Sequence, residues 1–257
     1  MFLADTPILA YHQITKDDSP KDPSGFAVSV RQFERQMRYL HDHGYCCVPL
    51  MELLRPSRNK PSRRKRTFAL TFDDGYEDFL TQAYPVLRRY GFTATVFLVT
   101  DRVGAQSDWE GEMGTPLLTW EQVQALHEDG ISFGSHSCTH PWLTRLSNEQ
   151  LGHELIASKE RMEAELGQEI PLLAYPYGES NSEIQRMAMA AGYRAACGMD
   201  RGRRGRFNLW RCLCHTDDSL LTFILKLTRW YRYPGWLREE TVVGQFLREV
   251  KHHWFPN

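Results

Sequence analysis

The sequence predicts an α/β fold in which parallel strands alternate with helices and close into a barrel. Three observations lead there. Apolar runs of strand length alternate with helical periodicity in roughly seven or eight units, and hairpin signals are few, which is the pattern of a parallel sheet with crossover helices. The length, 257 residues, is one at which a (β/α) barrel forms a single domain. Chemistry-bearing side chains fall where several of these strands stop, and parallel barrels build their active sites at those strand ends. No internal repeat or linker divides the chain, so residues 1–257 read as one domain.

The first strand is 8–12, I-L-A-Y-H. A helix follows over 29–43, opened by Ser29 in the capping-box pattern S-V-R-Q, with Phe33, Met37 and Leu40 on its apolar face and Gly44 at its end. Residues 45–49 form a strand and 51–54 a short helix. Residues 55–66, R-P-S-R-N-K-P-S-R-R-K-R, are a basic loop punctuated by proline. The strand beginning at Thr67 alternates Phe68, Leu70 and Phe72 with smaller residues and stops at Asp73, Asp74 and Gly75. A helix over 84–90 ends at Gly91. The strand 93–100 has a core, A-T-V-F-L-V, apolar enough to be buried on both faces. Residues 101–118 form a loop of a length usually reserved for function, and it contains Trp109. Thr119 (T-W-E-Q) and Ser147 (S-N-E-Q) open the next two helices, which end at Gly130 and Gly167. Between them the strand 131–135 runs into H-S-C-T-H. The strand 171–175 runs into P-Y-G, a helix covers 183–191, and 193–197 and 207–214 are the last strands. The segment 219–257 is expected to be largely helical.

Composition sets limits on function. Hydrophobic residues make up 42% and charged residues 25% of the chain, as in an ordinary globular protein. A net charge of −1 offers nothing to nucleic acid, and none is expected as a partner. The six cysteines include the neighbours Cys46 and Cys47 and no C-x-x-C pair, so they read as thiols in a reducing compartment. The N-terminal residues show neither a basic nor a long apolar region. No apolar run reaches the roughly 18 residues of a membrane span. The expected address is the cytoplasm. Three basic stretches, 55–66, 201–206 and the aromatic-rich 229–238, leave open a peripheral contact with anionic lipid.

Four strand ends carry polar chemistry: Tyr11-His12, Asp73-Asp74, His136 with His140, and Tyr175-Pro176-Tyr177-Gly178. Successive residues at a strand end point in different directions, so of two adjacent carboxylates one can hold a cation while the other handles a proton. Histidines four apart can meet one metal ion. A carboxylate from a neighbouring strand completes a facial set with a position left for water, as at a catalytic zinc. Asp-Gly alone is a common turn, and one H-x-x-x-H is commonly structural. Together, at strand ends, they point to chemistry.

The motifs T-F-D-D-G (71–75) and H-S-C-T-H (136–140) resemble the first two motifs of the NodB-like polysaccharide deacetylases, and A-Y-P-Y-G (174–178) is similar to a variant of the third. The resemblance implies a distorted (β/α) barrel, probably of seven strands, that hydrolyses an N-acetyl group on a sugar with the help of a metal. It implies that Asp74, His136 and His140 bind the metal and that Asp73 is the general base. The backbone N–H of Tyr177 would face the oxyanion. Zinc suits such ligands best, while cobalt, nickel and iron accept similar ones. The family's general acid comes from an L-x-x-H motif near the C-terminus. Here that pattern occurs at Leu9-Ala10-Tyr11-His12, which resembles the circularly permuted members acting on poly-N-acetylglucosamine, an exopolysaccharide, and assigns the acid to His12. Two features depart from the family pattern. Ala174 stands where the third motif has an arginine, and Arg211 is the candidate to orient the base in its place, a structural arginine being the alternative. The carboxylate partner of the acid is left between Asp217 and Asp218. Trp109 and Trp142 are candidate substrate contacts or packing residues.

The expected function is therefore metal-dependent removal of N-acetyl groups from an N-acetylhexosamine-containing glycan, oligosaccharide or lipid-linked precursor. The alternatives are an amidohydrolase on a non-sugar amide, as in allantoinase-like relatives, and a non-catalytic carbohydrate-binding barrel.

Overall fold

The computed structural model describes residues 6–18, 25–54, 66–109, 114–199, 205–228 and 231. In chain order the strands are β1 (Ile8–Tyr11), β2 (Ile14–Thr15), β3 (Val28–Ser29), β4 (Tyr45–Cys47), β5 (Arg66–Phe72), β6 (Thr95–Leu98), β7 (Ser132–Ser135), β8 (Leu172–Ala174), β9 (Ala195–Gly198), β10 (Leu209–Trp210) and β11 (Cys212–Leu213). The helices are α1 (Val30–Asp42), α2 (Leu50–Leu53), α3 (Tyr84–Tyr90), α4 (Trp120–Glu128), α5 (Asn148–Leu166), α6 (Ser182–Ala190) and α7 (Leu220–Lys226).

The principal sheet is parallel, in the order β10-β9-β8-β7-β6-β5-β1-β11, with β4 paired to the beginning of β5. The first strand therefore lies between β5 and β11: Ala10 is in register with Thr71 on one side and with Leu213 on the other. Only Arg211 separates β10 from β11. Because β10 pairs with β9 and β11 with β1, the stretch 209–213 joins both edges and brings the sheet to a nearly closed, distorted (β/α) barrel. The path has eight strands, where seven were expected. The difference arises at 207–214, expected as a single strand, which is interrupted at Arg211 into two short ones that pair with different neighbours.

The pleat of β1 and β5 sorts their side chains into two clusters. Leu9, Tyr11, Phe68, Leu70 and Phe72 join Phe33, Met37 and Leu40 of α1 and Val86 and Leu87 of α3 in the main core. Ile8 and Ala69 point the other way. They join Phe97, Leu172, Ala174, Ala195, Cys197 and Leu209, with Leu50 and Leu54 closing this inner cluster. Several inner residues are small, which leaves room within the ring for polar side chains.

Of the three capping boxes expected from the sequence, two are complete. Thr119 and Ser147 form complete capping boxes with Gln122 and Gln150. Ser29 accepts from the Gln32 N–H, but the Gln32 side chain does not fold back. It donates to the carbonyls of His215 and Asp218, both at 3.0 Å. That spacing was a tertiary tether between α1 and the loop after β11, and only half of a box.

All six cysteines are unpaired thiols. Among the described residues, no helix is long and apolar enough to cross a membrane. Of the C-terminal segment expected to be helical, α7 is seen. Residues 229–257 lie outside the described residues except Tyr231, as do the basic stretches 55–65 and 201–204.

Lys226 of α7 is almost fully buried, donates to the Leu213 carbonyl at 2.7 Å, and pairs with Asp218, which also accepts the His215 N–H at 2.8 Å. This pair fastens α7 to the closing strand. Asp218→Ala leaves a buried ammonium without its partner, and urea unfolding should show a loss of about 3–5 kcal/mol. The double variant Asp218→Ala/Lys226→Met should recover much of that loss.

Candidate active site

At the end of β5 the two carboxylates separate because the backbone changes conformation between them. The Asp73 N–H still bonds the Tyr11 carbonyl at 3.0 Å, so Asp73 keeps the inward direction of Ala69 and Thr71. Asp74 adopts φ +71°, in the left-handed region, and its carboxylate turns toward the two histidines that follow β7. Gly75 follows at φ +76°, where a Cβ would lie 2.6 Å from Leu98 Cδ2. The glycine of D-D-G is thus required twice over, by conformation and by space.

Asp73 receives a bidentate ion pair from Arg211, with both N–O distances at 2.6 Å, and Arg211 also donates to Thr71 Oγ1 at 3.2 Å. Asp73 and Arg211 are 4% and 2% exposed. Burial raises the Asp73 carboxyl, but the guanidinium outweighs it and holds the group well below the usual carboxylate range. Burial likewise opposes the charge on Arg211, and Asp73 overcomes it. Arg211 therefore reaches Asp73 from the break in the closing strand, while Ala174 packs among the inner cluster.

His136 and His140 each present Nε2 to the same oxygen, Asp74 Oδ1, at 3.3 and 3.4 Å. The ligand atoms of the three residues lie within 4.8 Å of one another. Asp74 Oδ1 is buried with no hydrogen-bond partner. A buried anionic oxygen faced by two ring nitrogens needs a positive charge among them, and tetrahedral ligands on Zn–N bonds of about 2.0–2.1 Å sit roughly 3.3 Å apart. The donor set fits a divalent cation. The His136 Nδ1 lies 2.8 Å from the Ala174 carbonyl, which places the proton on Nδ1 and leaves Nε2 free to ligate. Burial lowers His140 to about 4, so that ring is neutral and available as a ligand at neutral pH.

The loop 136–140 is shaped from beneath by Glu154 of α5. Its carboxylate accepts the N–H groups of Cys138 at 2.7 Å and Thr139 at 3.0 Å, and the Thr139 hydroxyl at 2.7 Å. Ser137 Oγ accepts the His140 N–H at 3.1 Å. Sequence reasoning missed Glu154. The signal was an acid on the same buried face of α5 as Leu151, Leu155 and Ser158.

His12 brings Nε2 within 3.9 Å of Asp73 Oδ2, and its ring stacks on Phe26 at 4.5 Å, which in turn meets His215 at 5.4 Å. Burial lowers the His12 pKa, and the Asp74 and Asp73 carboxylates oppose that fall. Of the two acids suspected as its partner, Asp218 is committed to Lys226 and Asp217 is exposed. Asp73 is the carboxylate beside it. Phe26 was a second residue missed, because an isolated phenylalanine before a short strand carries no pattern.

Tyr177 sits in a tight turn at φ +57°, followed by Gly178 at φ +72°. Its ring stacks on Trp142 with centroids 3.9 Å apart and planes 4° apart, and Arg145 lies over Trp142 at 4.8 Å. Trp109 is 6% exposed and lies 4.7 Å from the His140 ring. Its contact is thus with a candidate ligand, whereas Trp142 is half-buried beside the turn.

Residues 60–196 match the family model for polysaccharide deacetylase. The chain belongs to the polysaccharide deacetylase family. It is 33% identical over 205 residues to the putative polysaccharide deacetylase YxkH of Bacillus subtilis, covering 79% of this chain and 67% of that one. It is 26% identical over 205 residues to the poly-beta-1,6-N-acetyl-D-glucosamine N-deacetylase of Staphylococcus aureus, covering 72% and 68%. Among solved structures, the Streptococcus pyogenes deacetylase PplD in complex with acetate superposes with a TM-score of 0.72 at 26% identity, covering 86% of this chain and 97% of that one.

The ion pair has a pH signature. The folded Asp73 carboxyl lies below its unfolded value of about 3.9, so its contribution to stability is complete above that value and is lost as pH falls toward the folded one. In Arg211→Met, burial acts on Asp73 without the guanidinium. Acid unfolding followed by circular dichroism should move to higher pH, with a loss near neutrality of about 3–5 kcal/mol.

Proposed function

We propose that this polysaccharide deacetylase is a metal-dependent enzyme that removes N-acetyl groups from an N-acetylhexosamine-containing glycan, oligosaccharide or lipid-linked precursor. The observation that carries the proposal is the juxtaposition of a three-residue ligand cluster with an ionised carboxylate and a histidine at one barrel mouth. Asp74, His136 and His140 would hold the metal, zinc by preference. When bound, such a cation polarises a carbonyl and acidifies water. The similarity to the Staphylococcus aureus enzyme favours a β-1,6-linked N-acetylglucosamine polymer or a smaller unit of it. The six unpaired thiols favour a reducing compartment such as the cytoplasm.

Asp73, kept anionic by Arg211, takes the proton of the attacking water as the new C–O bond forms. A bidentate pair leaves each carboxylate oxygen a further lone pair for this purpose. The Tyr177 N–H faces the carbonyl oxygen as charge develops on it. His12 donates its proton to the departing nitrogen as the C–N bond breaks. The products are acetic acid and the free amine, which share out one proton as acetate and ammonium, and the proton gained by Asp73 balances the one given up by His12. Trp142 would offer a partly exposed aromatic face to the sugar, while Trp109 acts from behind His140.

The test is acetate release from β-1,6-linked N-acetylglucosamine oligomers after chelation and after adding back zinc or cobalt. Activity should vanish on chelation and return with metal. Asp73→Asn and His12→Ala should each lower kcat by about 10²–10⁴-fold while metal content, measured by elemental analysis, stays at the wild-type level. Turnover of a non-sugar amide with none of the oligomers would shift the reading to an amidohydrolase, and absence of turnover on both would leave a carbohydrate-binding barrel.

A further inference from the structure

The two candidate histidine ligands are oriented by different means. His136 has the usual support, its Nδ1 lying 2.8 Å from the Ala174 carbonyl, which fixes tautomer and ring direction. The His140 Nδ1 is buried and has no hydrogen-bond partner among the described residues. With Nε2 turned to Asp74, a ring that ligates a metal through Nε2 would carry its proton on Nδ1, a buried donor left unmade at a cost of roughly 1–3 kcal/mol. No hydrogen bond at Nδ1 among the described residues fixes the rotation of that ring about its bond to Cβ.

Aromatic contact replaces the missing hydrogen bond. Trp109 approaches the His140 ring with centroids 4.7 Å apart at 31°, and Tyr177 approaches it at 4.7 Å and 63°, edge to face. Both partners are themselves fixed. Trp109 lies in a small apolar cluster with Tyr76, Val99 and Leu117, and Tyr177 is stacked on Trp142. The His140 backbone is also strained, at φ +61°, so its side chain needs support from outside the loop.

We propose that Trp109 and Tyr177 are positioning residues for the metal: their rings hold His140 in its ligating orientation in place of a hydrogen bond to Nδ1. Tyr177 thereby has two duties. Its ring seats a ligand while its backbone N–H is the oxyanion donor, so metal seating and oxyanion geometry are set by one residue. The Tyr177 hydroxyl has no part in this, and neither does the Trp109 indole N–H. The inference rests on Asp74, His136 and His140 binding a metal.

The test is the affinity of the purified full chain for zinc, measured by competition with a chromophoric chelator, together with the visible spectrum of the cobalt form. Thermal unfolding of the metal-free proteins monitors folding separately. Tyr177→Ala and Trp109→Leu should weaken zinc binding by about 10–100-fold, the range expected when support of a ligand is lost, and should alter the cobalt spectrum. Tyr177→Phe, which keeps the ring, should match the wild type in both. Wild-type affinity and an unchanged cobalt spectrum in a folded Tyr177→Ala variant would overturn the proposal. Tyr177 is half-buried in a surface turn, so this variant decides the matter even if Trp109→Leu does not fold. Failure of the wild-type chain to bind zinc or cobalt would instead remove the metal-dependent reading itself, and this inference with it.

Discussion

Two opposite charges buried in the barrel mouth, Asp73 and Arg211, impose most of what surrounds them. Removing an ion of this size from water costs several kcal/mol even after the protein relaxes, and only close, hydrogen-bonded geometry offsets it. The bidentate contact at 2.6 Å supplies that geometry. Space for the guanidinium comes from small inner residues such as Ala69, Ala174 and Ala195, with the Phe97 ring 5.6 Å away. The same guanidinium marks the point where the last strand changes partners. Electrostatics of Asp73 and closure of the ring are therefore one structural problem with one solution.

From that anchor the division of labour between neighbouring carboxylates follows. Asp73 remains in the pleat and faces inward to a permanent cation. Asp74, one residue later, leaves the pleat through a left-handed backbone and faces the two histidines. Identical side chains meet different surroundings because one has its counter-charge built into the chain and the other does not. Glu154 extends the pattern. As an acid with three donors from a single loop, it shapes backbone.

Much of this was legible in the residues. Periodicity and capping patterns located the principal helices and strands to within a few residues, because apolar alternation and helix caps are local properties. The strand-end residues Asp73, Asp74, His136, His140 and His12 were legible for a different reason, since polar groups at the ends of buried strands conflict with their surroundings unless they have a task. What escaped detection depended on distance. Arg211 was only one of two readings until its strand was seen beside β1 and β9. Glu154 and Phe26 act through contacts 15 or so residues away in sequence, on elements whose own patterns are ordinary. The Ser29–Gln32 spacing matched a capping box, yet a nearby pair of carbonyls competed successfully for the glutamine. The strand count differed because an interruption of one residue leaves no trace in hydrophobic periodicity.

Four residues other than glycine hold positive φ among the described ones, namely Asp74, Ser137, His140 and Tyr177. Each such conformation costs about 1–3 kcal/mol, and all four lie in the motifs at the barrel mouth. Glycine or asparagine would relieve that cost at once, so a chain under selection for folding alone would drift toward them. A barrel that only gripped sugars would have little reason to resist the drift at four places in one small area. Aspartate, serine, histidine and tyrosine stand there instead, and this chain carries the backbone cost at all four places. That weighs against a lapsed or purely adhesive role, on grounds independent of any ligand.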